Sequence, residues 1–140
     1  DPSLSTLRKI ALTMGVPVFA LIAESAPDEA SFVPRAKRRR VSFPQGGPEY
    51  EILHSELTKK MAVMIGTLQP GGVTSEEPIP HDGEECLVIL KGCVHVEFQT
   101  GRRELKEGDS LYFDSSAPHR LVNPGRTACR YYLIITPPKF

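Results

Sequence analysis

The 140-residue chain predicts an all-β barrel or sandwich preceded by a short helical segment, on three observations. Beyond Val41 helical periodicity is absent. In its place short β-branched or aromatic runs alternate with Gly and Pro punctuation, the pattern of a sheet whose strands are joined by tight turns. Only the N-terminal stretch spaces its apolar residues for a helix.

The elements follow in order. Leu4, Leu7, Ile10, Ala11 and Met14 fall on one helical face, with Ser3 as N-cap and Gly15 as the stop. A second short helix is expected from Pro17, which suits a first turn, with Val18, Phe19, Leu21 and Ile22 as its apolar side. Residues 24–40 turn to Ser, Pro, Ala and charge, as a linker does. Strands are predicted at Arg39–Phe43, Tyr50–Leu53, Met61–Leu68, Glu85–Lys91, Cys93–Phe98, Arg102–Lys106, Ser110–Phe113, His119–Val122 and Ala128–Thr136. Between them, Gln69-Pro-Gly-Gly, Lys91-Gly92, Thr100-Gly101, Glu107-Gly108-Asp109 and Asn123-Pro-Gly supply residues that tolerate or preset turn dihedrals. The division expected is therefore 1–23 helical, 24–40 linker and 41–140 barrel.

Composition excludes several function classes. With 17 basic and 17 acidic residues, no global field draws the chain to nucleic acid or membrane. An apolar run of spanning length and a cleavable leader are both lacking in the sequence given, so the expectation is a soluble, cytoplasmic protein. Cys86, Cys93 and Cys129 form no CxxC and are odd in number, as for reduced strand thiols. Arg35, Lys37, Arg38, Arg39 and Arg40 are the one strong charge cluster; they either contact phosphate or, the better reading, solvate a linker and blunt an edge strand.

The chemistry concentrates at His81, Glu85 and His119, each near the start of a predicted strand. Two imidazoles and a carboxylate can hold one face of a divalent metal and leave the other open. Because strand side chains alternate, Glu85, Leu87 and Ile89 share one face, and so do His119, Leu121 and Asn123. If both faces line the lumen, Leu87, Ile89, Leu121 and Asn123 form the wall of a ligand pocket around the three polar groups.

These residues carry a resemblance. HDGEECLVILKG, from His81, resembles the first motif of the cupin superfamily, and GDSLYFDSSAPHRLVN, from Gly108, resembles the second. The match spans roughly the last 100 residues, through the closing TPPKF. It implies a double-stranded β-helix (jelly-roll) barrel in which His81, Glu85 and His119 correspond to metal ligands for Fe, Ni, Mn or Zn. A first-motif histidine of the family falls on Ile79, leaving three of four ligands, and Asp114 and Ser116 stand where the family usually has Pro and Gly. The alternative is a metal-free site whose three side chains bind an organic ligand or one another.

The N-terminal PSLSTLRKIALTMGVPVFAL is similar to the last two helices of lambda-repressor-like helix-turn-helix domains, which are commonly fused to cupins in bacterial regulators. In that family the DNA-reading helix lies upstream, so the resemblance implies a truncated remnant. The expected function is a sensor that binds a small-molecule effector, forms a homodimer and meets DNA through a longer parent chain, with no catalytic residue assigned. The alternative is a mononuclear non-haem Fe(II) enzyme. The hydroxypropylphosphonate epoxidases, which join a helix-turn-helix to a cupin, resemble this chain in their His-x-x-x-Glu and later His.

Overall fold

The computed structural model describes residues 4–14, 30–43, 46–55 and 60–138. Within these lie one α-helix, α1 (Leu4–Met14), and the strands β1 (Arg39–Ser42), β2 (Glu49–Ile52), β3 (Ala62–Leu68), β4 (Glu84–Lys91), β5 (Cys93–Phe98), β6 (Gly101–Lys106), β7 (Ser110–Asp114), β8 (His119–Val122) and β9 (Cys129–Thr136). The all-β expectation holds, and strand ends differ from it by a residue or so, as fraying ends do. A 3-10 turn at Arg35–Lys37 leads into β1, so the first strand begins inside the stretch expected to be linker. The helix expected from Pro17 lies outside the described residues.

All strand pairs are antiparallel and form two sheets, ordered β1-β2-β3-β9-β4-β7 and β6-β5-β8. Residues 71–79 run beside β8 and extend the smaller sheet, through backbone bridges Val73–Val122 and Ile79–His119. The core lies between the sheets. Along β4, Glu85, Leu87 and Ile89 are buried, and along β9 Cys129, Tyr131, Leu133 and Ile135 are, the period-2 burial of strands with one face inward. Val94, Val96 and Leu121 meet them from the opposite sheet, and Leu7 and Ala11 of α1 join the same buried cluster.

Gly66 and Gly83 are required by space. A Cβ on Gly66 would overlap the ring of Tyr131, whose hydroxyl lies 3.4 Å from that of Tyr50 in the interior. Gly83 has φ +104° and a Cβ there would collide with the Thr136 carbonyl, so only glycine turns the chain this tightly between His81 and Glu85. At the sheet edge, Arg38 and Arg40 of the cationic run reach Glu51 at 3.6 and 3.8 Å, and Arg130 donates to the same carboxylate at 3.0 Å. That placement fits the reading of the run as an edge-strand device.

Candidate metal centre

Three elements bring the site together. β4 supplies Glu85, the tight turn at Gly83 just before it supplies His81, and β8 supplies His119 from the other sheet. Backbone bonds clamp the histidines: His119 and Ile79 exchange hydrogen bonds of 3.0 and 3.1 Å, and the His81 amide donates to the Ser115 carbonyl at 2.9 Å. The candidate ligand atoms of His81, Glu85 and His119 all lie within 4.8 Å of one another, the one such group of three metal-ligating side chains found among the described residues.

The carboxylate is the hub. Glu85 Oε2 lies 2.6 Å from His81 Nε2 and 3.0 Å from His119 Nε2, and accepts a 2.9 Å hydrogen bond from Ser115 Oγ. Burial alone would push the Glu85 carboxyl up; the hydrogen bonds and charge of His119 and His81 outweigh it and hold the group down at about 2. His119 Nδ1 donates to the Ala117 carbonyl at 2.7 Å, which points Nε2 at Glu85, and Phe113 packs edge-on against the ring at 4.8 Å. His81 Nδ1 lies 3.2 Å from the Asp82 carbonyl.

This donor set fits a divalent metal. Each imidazole has its outer nitrogen on a backbone carbonyl and its inner nitrogen on the shared centre, and the carboxylate has a buried hydroxyl behind it, as metal-ligating groups usually do. Two nitrogens and one oxygen from three residues suit Fe, Ni, Mn or Zn and leave positions free for water or a ligand.

The three side chains open onto a cavity of about 30 Å³, enough for a water or two. Its walls include Leu121, as expected, together with Ile79, Leu133 and Ile135. Leu87 and Ile89, expected beside it, are essentially fully buried in the core between the sheets. Asn123 is buried too, but its amide donates to the Leu68 and Thr127 carbonyls at 2.8 and 2.9 Å and its Oδ1 accepts from the Gly125 amide at 2.9 Å. It ties the turn after β8 to β3 and does not face the cavity. His95, a lone histidine, pairs with Glu104 at 3.0 Å on the outer side of the small sheet.

Sequence reasoning missed Arg8, Tyr50, Thr74 and Ser75 in the wall and Ser115 behind the carboxylate. For Arg8 a signal existed. It lies four residues after Leu4 and three before Ala11, so it sits inside the apolar stripe of α1 rather than on its polar face. Ser115 carried none.

Comparison with known proteins agrees with this architecture. The chain is 27% identical over 142 aligned positions to the HTH-type transcriptional regulator PuuR of Escherichia coli (strain K12), covering 100% of this chain and 76% of that protein. Among solved structures, an HTH_3 family transcriptional regulator from Vibrio cholerae superposes with TM-score 0.69 at 21% identity, over 99% of this chain and 74% of that one. The FeII HppE structure superposes with TM-score 0.65 at 16% identity, over 97% and 77%. Residues 64–135, which run from within β3 to within β9 and include all three candidate ligands, match the Cupin_2 family, and the chain belongs to that family of cupin domains.

Proposed function

We propose that this chain is the sensing part of a helix-turn-helix transcriptional regulator, with a small metabolite bound in the barrel beside a divalent metal on His81, Glu85 and His119. The observation that carries the reading is similarity to a regulator along the whole chain, helix and barrel alike, combined with a buried two-histidine, one-carboxylate cluster that opens onto a cavity. On this reading residues 1–23 are the end of a DNA-binding domain, 24–40 join it to the barrel, and the longer cytoplasmic parent meets DNA as a homodimer. A bound metal supplies a fixed positive charge and open positions for an oxygen ligand. His81, Glu85 and His119 hold it, Ser115 orients the carboxylate, and Phe113 with the Ala117 carbonyl fixes the His119 ring. Coupling to DNA requires the metabolite to favour one arrangement of the parent over another.

A second reading, a non-haem Fe(II) enzyme, is favoured by the same facial donor set and by the superposition on FeII HppE over almost the entire chain. No helix among the described residues is long and apolar enough to cross a membrane. Native mass spectrometry of protein purified without chelator, paired with operator binding by the longer parent, tests the first reading. It expects near-stoichiometric metal and operator affinity altered by a co-purified or added metabolite. Dioxygen consumption by the Fe(II)-loaded chain with an organic substrate, lost in His119→Ala, would instead establish the second.

A further inference from the structure

The cavity wall is not made by the barrel alone. Arg8, carried on α1, lines it together with His81, Glu85 and His119, and its Nε is buried. The guanidinium interacts electrostatically with Glu85 and with Tyr50, whose phenol lines the same space. α1 is held there by Leu7 and Ala11, one residue before Arg8 and three after, which are buried in the barrel's core cluster. The cation is thus docked by packing on either side of it.

We infer that this site takes a small organic anion, a carboxylate or phosphonate, with Arg8 as the residue that selects for its charge. The inference rests on the metabolite-binding reading above and names its ligand class. A guanidinium is a planar fork of donors matched to carboxylate and phosphate oxygens. Among the described residues Glu85 is the one acid in the cavity wall, and its Oε2 is already drawn to His81, His119 and Ser115. With a divalent metal on those residues, Arg8, Glu85 and the ion sum to a positive site, which disfavours a cationic ligand and favours an anionic one. Tyr50, Thr74 and Ser75 also line the wall, but their hydroxyls already serve Tyr131, the Leu121 amide and the Glu77 carbonyl, which leaves Arg8 as the charged donor there. Because the space is only about 30 Å³ and Arg8 forms part of its wall, an acid of several heavy atoms that reaches the metal ligands presses on Arg8 and α1, so the helix registers occupancy.

The test is calorimetric titration of the Zn(II)-loaded chain with succinate, methylphosphonate, the neutral succinamide and the cationic 1,4-diaminobutane, with hydrogen exchange of α1 as a second readout. The expected result is millimolar or tighter binding of at least one anion, none of succinamide or the diamine, and faster exchange in α1 when the anion is bound. Arg8→Met should weaken the anion about tenfold or more, as loss of a charged hydrogen bond does, without weakening Zn(II), since the lost charge is one that repels the ion. Arg8→Lys should recover part of it. Equal anion binding by Arg8→Met, preference for the diamine, or no binding of either anion by the wild type each overturns the inference. Failure of Zn(II) itself to bind defeats the metal reading alone; the metal-free chain is then titrated, and the anion should still require Arg8.

Discussion

Removing the Ser115 hydroxyl should weaken metal binding far more than it weakens the fold. Glu85 Oε2 is approached by three groups, His81 Nε2 at 2.6 Å, His119 Nε2 at 3.0 Å and Ser115 Oγ at 2.9 Å. Ser115→Ala deletes one of them from a fully buried position, and the remaining two keep the carboxylate satisfied, so the cost to folding is that of one shared hydrogen bond, ~1 kcal/mol. Once a metal is present the imidazole nitrogens give their lone pairs to the ion and no longer serve the carboxylate. Ser115 is then the side chain left to orient it. Loss of such a supporting group costs about 10- to 100-fold in metal affinity, or ~1.4–2.8 kcal/mol. Competition for Zn(II) against a chromophoric chelator at neutral pH, run beside urea unfolding of the metal-free variant, separates the two effects. An affinity change below about threefold with a clear drop in the urea midpoint would refute the reasoning and reduce Ser115 to a packing residue.

Gly66→Ala should destabilise by ~1–3 kcal/mol through overlap with the Tyr131 ring, read as a lower urea midpoint at unchanged slope. Asn123→Ala should cost ~3 kcal/mol or more, because it strips partners from the Leu68 and Thr127 carbonyls and the Gly125 amide, while leaving metal affinity within about twofold. Burial pushes the Tyr50 phenol up to about 12, above the value of about 10 for an unfolded tyrosine. The group therefore contributes ~3 kcal/mol that is fully present below about pH 10 and lost as pH rises through about 12. Tyr131, pushed upward by burial as well, behaves in the same sense. Phenolate absorbance from this pair should rise only together with loss of far-UV circular dichroism, and ionisation of both in folded protein would contradict their burial.

How much was legible follows from what each signal encodes. Alternation gives the face of a strand, so the inward set of Glu85, Leu87 and Ile89 and that of His119 and Leu121 were readable, and Gly and Pro fixed where strands stop. Depth along a strand is not encoded. Leu87 and Ile89 share the inward face with Glu85 but lie two and four residues further along β4, buried in the core cluster. Asn123 shares the parity of His119 but falls beyond the end of β8, where an amide serves turn carbonyls. Tyr131 and Tyr112 separate into a buried ring against Tyr50 and an exposed one, because Tyr131 is on the inward face of a central strand while Tyr112 is on the outward face of an edge strand. Arg8 was hidden for a similar reason: the stripe of a helix tells that it docks and not on what.

The ladder between Ile79 and His119 has a consequence for how such a centre changes. Residue 79 is opposite a candidate ligand, its main chain locked on both sides and its side chain already at the cavity wall. Installing an imidazole there adds a donor without redrawing the backbone, and taking one away leaves an aliphatic plug. Between three-donor and four-donor versions of this barrel, one amino acid is the whole distance.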